Sequence, residues 1–337
     1  MTVRDLIPVL VLVGLAALLP LVVTASPVLN FLVFMLIVAL GAQGWNILGG
    51  FGGQFSFGHA AFFGTGAYAT AILQLRWGVN AWAGLAAAVA AGGAVGWAIG
   101  FLSFRSGLRG SYFALVTLAF AEVFRILANA APLTGGAAGL LIGLDVRPAN
   151  LQFADRAVFY WLVLGFVAAV LVLTRWIQRS RFGAQLVAVR ENEDAAKALG
   201  VDSLRVKLRA IALSGAVTAL AGGLYAQYFL YIDANIAYGG WISVELLLAP
   251  IIGGVGTVFG PVVGALTLHG LGEVAKQFAG RIPGIDLIVF GTVLVLAVAF
   301  ARGGILGLLE RLRDRGVGML PPSAKSRTAK EVPNAGR

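Results

Sequence analysis

Few side chains in this sequence can do chemistry, and most of those sit inside long apolar stretches. His59 lies in the run Gly53-Gln54-Phe55-Ser56-Phe57-Gly58-His59-Ala60-Ala61-Phe62. Its imidazole either touches a passing solute or carries a proton, or it bonds the peptide groups of an interrupted helix; the structural reading is favoured. Gln54 and Ser56 carry the same two readings. The chain's other histidine, His269, is remote in sequence, and two distant histidines are poor grounds for a metal site. Glu122 and Arg125 stand three apart, on one face of a helix. Charge at membrane depth is costly and by default points to function, but opposite charges at this spacing also neutralise each other. A structural pair is the favoured reading. Glu245 and Glu273 are expected near membrane interfaces. No GxxxxGK[ST], GxSxG or HExxH pattern occurs, so neither P-loop ATP binding nor catalysis is expected of the chain. With no cysteine, disulfides and thiolate metal sites are excluded, and no cofactor is expected.

The elements that must position these groups are set by composition. Of 337 residues 59% are hydrophobic and 12% charged, against about 25% charged in a soluble chain. Apolar runs long enough to cross a bilayer core recur, without the alternation of a barrel strand. The fold class is therefore all-α, polytopic and membrane-embedded. The 46 glycines let such helices approach closely. A net charge of +10 gathers in a few loops and the tail, as the positive-inside rule expects, so no nucleic acid is invoked.

Along the chain, the run Leu6–Val23 outlasts the core of about 7–15 residues in a signal peptide and reads as a retained first span. Val28–Leu48 follows. Gly49, Gly50, Gly52 and Gly53 cannot hold a continuous helix, since each costs about 1 kcal/mol relative to alanine; helix resumes near Gly58 and runs to Leu75. Further spans are expected at Ala81–Phe104, Ser111–Ala130, Val158–Trp176, Ala210–Tyr231 and Leu287–Ala301. Leu246–Leu266, interrupted by Pro250, Gly253, Gly254, Gly256 and Pro261, reads as two short helices meeting at a break. Irregular backbone at this depth must be buried in protein or line a cavity. This gives a transmembrane body over 1–313 and a basic, disordered tail over 314–337.

Arg175 to Arg209 contains eight basic residues and Tyr231 to Glu245 none, which places the loop of about 178–208 in the cytoplasm. The N-terminus, Arg105–Arg109 and the tail fall on the same side, and 131–156 on the other. Basic clusters fit ten crossings within a range of about 8–10, with 243–272 either spanning or re-entrant. GGFG…FG at 49–58 and GGVG…FG at 253–260 are alike, which leaves open an internal duplication of the kind transporters carry.

The 178–208 loop is the one long charged passage between spans. Within Arg190-Glu191-Asn192-Glu193-Asp194-Ala195-Ala196, the acids Glu191, Glu193 and Asp194 suit a helix N-terminus, and Gly200 suits its end. A two-turn helix with a small-residue side at Ala195, Ala196 and Leu199 follows, shaped to seat in another protein's groove; the plainer alternative is a solvated basic loop.

Asp194-Ala195-Ala196, three residues short of Gly200, resembles the EAA…G loop of membrane subunits of ATP-binding-cassette (ABC) transporters. Gly53-Gln54-Phe55-Ser56-Phe57-Gly58-His59-Ala60-Ala61-Phe62-Phe63-Gly64, Leu108-Arg109-Gly110, Tyr112-Phe113-Ala114 and Thr117-Leu118-Ala119-Phe120-Ala121-Glu122 are similar to the branched-chain amino-acid ABC permeases of the LivM type. Leu133-Thr134-Gly135-Gly136, Arg190-Glu191-Asn192-Glu193 and Gly253-Gly254-Val255-Gly256 continue in the same order. The likeness runs from about Gly44 to Leu306. Aspartate replaces the glutamate of EAA, the Leu-Pro ending after Gly200 is missing, and Pro250 is not a family requirement.

The resemblance implies an ABC importer permease fold in a bacterial inner membrane, and the charge count above puts both termini in the cytoplasm. It implies two ATP-binding subunits, a second homologous permease and an extracytoplasmic substrate-binding protein as partners, besides membrane lipid. The substrate route is expected along Gln54, Phe55, Ser56, Gly58, His59, Phe62, Gly253, Gly254 and Gly256. Coupling to the ATPases falls to Arg190, Glu191, Asn192, Glu193, Asp194, Ala195, Ala196 and Gly200. Cargo would be branched-chain or related aliphatic amino acids, with urea or short amides as the family's other option. The rival classes are an ion- or proton-coupled secondary transporter, with Glu122 or His59 in its relay, and a passive channel.

Overall fold

Unbroken runs of Ala, Leu and Val leave helix as the way to satisfy peptide groups in lipid. The computed structural model describes residues 3–23, 25–279, 288, 291–292 and 303–308. Its helices are α1 (Val3–Val22), α2 (Ser26–Trp45), α3 (His59–Trp77), α4 (Ala81–Arg105), α5 (Gly110–Ala130) and α6 (Arg156–Arg179). They continue as α7 (Arg181–Glu191), α8 (Glu193–Ala198), α9 (Ser203–Phe229), the single turn α10 (Ala234–Ala237), α11 (Gly240–Gly253) and α12 (Gly260–Ala279). Among the described residues seven segments, beginning at Asp5, Ser26, Ala81, Gly110, Arg156, Ser203 and Ala234, are long and apolar enough to cross a membrane. α3 and α12 are more polar but, at 19 and 20 residues, match the roughly 20 that one crossing takes. The chain is an all-α polytopic membrane protein. Most of the expected span Leu287–Ala301, and all of the tail 314–337, lie outside the described residues.

α2 runs through the middle of the bundle and is buried from Leu32 to Trp45 apart from Phe34. α9 lies against it, wedged between α3 and α4 by bare backbone: a Cβ on Gly215 would strike the Gly92 carbonyl of α4, and one on Gly222 the Phe63 carbonyl of α3. Small residues at such crossings supply the dispersion contact that holds helices together in lipid. α1 instead presents Leu10, Leu15, Leu21 and Val22 outward.

Pairing at the helix ends fixes which loops share a side. Asp5 of α1 pairs with Arg179 of α6, and Arg109, before α5, pairs with Glu193 and Asp194 of α8. At the opposite end Trp82 Nε1 donates to the Pro148 carbonyl at 3.0 Å, and Leu140–Leu141 (β1) forms a two-residue antiparallel ladder with Tyr231–Ile232 (β2). Segment 131–156 therefore lies across the bundle from the charged loop.

Three local expectations are corrected. Gly49 and Gly50 do not interrupt the second helix: Asn46–Phe51 continues α2 as a π-turn, and the break comes at Gly52–Gly53. The seventh long helix starts at Ser203 rather than Ala210, because Asp202 caps it by accepting from the Arg205 amide at 3.0 Å. α11 and α12 extend well beyond Leu246–Leu266 at both ends.

Candidate translocation core and coupling site

The first break is a partly buried loop, with Ser56 and Gly58 inside and Phe55 and Phe57 exposed, whose peptide groups are satisfied by side chains from around it. Gly53 turns left-handed at φ +67°, and the amides of Gly53 and Gln54 close the π-turn on the Gly49 and Leu48 carbonyls at 3.1 Å each. Trp45 Nε1 donates to the Ser56 carbonyl at 2.8 Å. Thr117 Oγ1 of α5 accepts from the Phe57 amide at 3.2 Å, and Ser243 Oγ of α11 accepts from the Ala60 amide at 2.8 Å. Each bond removes an orphan peptide group of the kind that is expensive in hydrocarbon.

His59 opens α3 with no exposed surface. Its Nδ1 is 3.1 Å from Ser56 Oγ and its Nε2 is 2.8 Å from Ser214 Oγ of α9. Phe62 stands edge-on to the imidazole, 5.2 Å between centroids. Ser56, Gly58, His59 and Phe62 are thus buried together between α3, α5 and α9, while Gln54 bonds the Gly52 carbonyl at 3.2 Å and Phe55 is exposed on the edge of Trp45.

The second break is clamped by α2, through residues that sequence reasoning missed. Asn46 Nδ2 donates to the Thr257 carbonyl at 2.8 Å, and Asn46 Oδ1 accepts from the Gly256 amide at 2.8 Å. Gln43 Nε2 donates to the Val258 carbonyl at 2.7 Å. Both side chains are fully buried. The signal available beforehand was two amides within one turn of an otherwise apolar span. Gly253 and Gly254 pack on bare backbone of Gly260, so Gly253, Gly254 and Gly256 form a closed junction directly beneath the π-turn.

Glu245 departs from expectation. It is buried in α11, 8% exposed, and its Oε1 is 3.4 Å from His269 Nε2 of α12, so it faces the neighbouring arm of the hairpin rather than an interface. Glu122 and Arg125 do meet on α5, and Arg125 Nη1 also donates to Asn235 Oδ1 at 2.7 Å.

In the charged loop Asn192 caps α8 by accepting from the Asp194 and Ala195 amides at 3.1 and 3.0 Å, and Gly200 ends it at φ +85°. Glu193 is a hub: Lys207 Nζ at 3.0 Å, Lys197 Nζ at 3.1 Å and Ser203 Oγ at 2.9 Å converge on Oε1, with Arg109 Nε 3.3 Å from Oε2. Burial pushes this carboxyl up, but the hydrogen bonds from Lys207 and Lys197 outweigh it and hold it down at about 2. Glu191 does not belong to the helix start assigned to it; it ends α7 and pairs with Arg190 at 2.6 Å. Ala196 turns inward, whereas Ala195 and Leu199, the latter 85% exposed, face out.

Arg190 joins the two regions. Its Nη1 donates to the Gly50 carbonyl at 3.0 Å, and its aliphatic stem fills the space a Cβ on Gly53 would occupy.

The model of the family described as "Branched-chain amino acid transport system / permease component" matches residues 28–298. The chain is 30% identical to the high-affinity branched-chain amino acid transport system permease protein LivM of Escherichia coli K12, over 90% of this chain and 76% of that one. It is 28% identical to LivM of Salmonella typhimurium over the same shares. With the permease protein BraD of Pseudomonas aeruginosa it shares 27% identity over 81% of this chain and 92% of the other. A match spanning both breaks and the charged loop between them shows that the chain belongs to the branched-chain amino-acid transport permease family.

Proposed function

We infer that this chain is the membrane-spanning permease subunit of an ABC importer that moves branched-chain or related aliphatic amino acids into the cell. The observation that carries the reading is the Arg190 bridge: Arg190, in the last turn of α7 immediately before the exposed short helix α8, is tied through its guanidinium to the glycine-rich break in the core. Work delivered to α8 reaches Gly50, then the Asn46 clamp, then the second break. ATP is hydrolysed in two separate ATP-binding subunits, whose grooves seat Ala195 and Leu199. The loop side is the cytoplasm of a bacterium, both termini lie there, and a substrate-binding protein delivers cargo to the 131–156 side.

A second, homologous permease covers the outward face of α5. Glu122 and Arg125 lie on that face beside Leu118 and Ile126; charges turned to lipid are costly, whereas a partner's polar groups accept them. The cargo route runs past Ser56, Gly58, His59 and Phe62 towards Gly253, Gly254 and Gly256, opened when the breaks move apart.

The test is uptake together with ATP hydrolysis in the assembled transporter. Leu199→Arg should leave the chain inserted and ATP hydrolysis measurable while leucine uptake falls at least tenfold, about 1.4 kcal/mol of lost coupling. Full uptake in vesicles under a proton gradient without ATP would sink the proposal in favour of a secondary transporter.

A further inference from the structure

We propose that the apolar gap between α1 and the rest of the bundle is a binding site for one acyl chain of a membrane phospholipid. The inference needs only that the chain is embedded in a bilayer and does not depend on the importer reading above.

α1 is fastened to the bundle along one edge. Its Pro20 has no N–H to offer the Ala16 carbonyl, and Tyr160 Oη of α6 takes that place, donating to Ala16 at 2.8 Å. Trp161 Nε1 donates to the next carbonyl, Ala17, at 3.0 Å, and Asp5 pairs with Arg179. All three ties run to α6. Along the other edge a gap of about 250 Å³ separates α1 from α2 and α12. Leu12, Leu15 and Leu19 of α1 form its outer wall, and Met35, Leu164 and Leu266, from α2, α6 and α12, face them.

The setting of the gap selects a lipid tail. It lies at hydrocarbon depth, since Leu164 is about 12 Å along the axis from the charged start of α6 at Arg156. Water has no hold on it. A buried water takes about 2–4 polar partners, and the gap's one hydroxyl, that of Tyr160, is spent on Ala16. The rim at Leu15, Leu19 and Leu266 is exposed, whereas the floor at Met35 and Leu164 is nearly buried, so the gap opens sideways towards the bilayer. Left empty, it would forfeit the dispersion contacts of its walls, and in a bilayer the apolar group that meets such a rim is an acyl chain. The described residues after α12 do not fill it. Ile305 packs on the cluster of Trp45, Leu247, Leu248, Ile252 and Leu268, and Leu268 points about 200° around α12 from Leu266. A chain seated in the gap touches α1 and the bundle at once, and so supplies the packing that holds a helix in lipid.

The full chain is placed in nanodiscs of phosphatidylcholine that carries a diazirine at mid-chain, illuminated, and mapped by peptide mass spectrometry. Adducts should form at Met35 and Leu164, on the floor of the gap, as well as at the outward-facing Leu10 and Val22. Leu15→Trp and Leu266→Trp, both at exposed rim positions tolerant of change, should fill the gap from opposite walls. Each should lower labelling of Met35 and Leu164 about tenfold, equivalent to about 1.4 kcal/mol of binding. Leu21→Trp, as exposed but away from the gap, should leave that labelling unchanged. Equal labelling of Leu10 and Val22 in all four proteins checks that each is inserted and folded. Adducts confined to outward-facing residues in the parent overturn the proposal, and so do floor adducts that survive both rim substitutions. Floor labelling by a diazirine fatty acid that excess phosphatidylcholine fails to displace also overturns it, by assigning the gap to a free fatty acid.

Discussion

The two glycine-rich breaks look alike in sequence and are held in different ways. The first, 49–58, prolongs α2 through a π-turn and is then hydrogen-bonded by Trp45 and by Thr117 of α5, while α9 and α11 bond the opening residues of α3 just after it. The second, 253–260, takes side-chain hydrogen bonds from Gln43 of α2 and Asn46 of its π-turn, and packs on the backbone of Gly303 and Gly304. Among the described residues, only the first has a hydrogen bond from α7, through Arg190. Similar glycine spacing therefore marks two places where a helix stops, not two places with one task. Under the proposed coupling, the first break would receive force from α7 and the second would follow it through the α2 side chains that clamp it.

The sharpest way to break this contrast is to dismantle the hub beneath the first break and leave the second untouched. Glu193→Gln strands Lys207, whose side chain is 5% exposed, as an unpaired buried cation. Removing one partner of a buried pair costs about 3–5 kcal/mol, so the melting temperature in detergent should fall clearly. Glu193→Leu with Lys207→Met should recover most of it. A single variant that melts with the parent means Glu193 is no hub.

Next in size is the clamp. Asn46→Leu leaves the Gly256 amide and the Thr257 carbonyl without partners, at about 1–3 kcal/mol for each buried group left unpaired. Stability should fall, with uptake lost even in protein that remains folded. If Gly256→Ala, at φ +73°, matches Asn46→Leu in both readouts, the clamp acts through the position of the second break, as argued. If Asn46→Leu is silent, α2 is not the link.

Smaller in stability but larger in function is the bridge itself. Arg190→Gln should cost no more than about 1.5–3 kcal/mol, the range for a hydrogen bond to a charged group, yet separate ATP hydrolysis from uptake. Gly53→Ala, which needs a left-handed backbone and meets the Arg190 stem, should do the same. Uptake that stays in step with hydrolysis in both would return Arg190 to the status of a surface residue.

Much of this was legible in the sequence for physical reasons. Spans announce themselves because lipid forbids unpaired backbone, and α8 announced itself through acids at one end and Gly200 at the other. What was not legible depends on partners remote in the chain. Nothing near Asn46 says that its amide meets residues 256 and 257, and nothing in Trp241–Leu247 says that Glu245 turns inward to α12. The glycine penalty, summed residue by residue, put the break at Gly49. A π-turn backed by Trp45 and Asn46 keeps Gly49 and Gly50 helical, a tertiary contribution that local propensity does not contain.

The smallest expected effect is a null across the physiological range, and it tests the hub independently of any substitution that weakens folding. Glu193 is held at about 2 against an ordinary 4.5. A carboxylate whose folded value is depressed adds stability that is complete above its unfolded value and is lost as pH falls through the folded one. The chain has no cysteine, so Leu199→Cys gives a unique site for a nitroxide on the exposed side of α8. Its spectrum should be constant from about pH 5 to 8 and should loosen only between about 4.5 and 2, where Glu193 takes up its proton. Glu193→Gln should already show the loosened spectrum at neutral pH and no acid transition. A spectrum that changes between pH 5 and 8 in the parent would place some other titrating group in control of α8, and the first break would then no longer be distinguished from the second by a charge-locked lever.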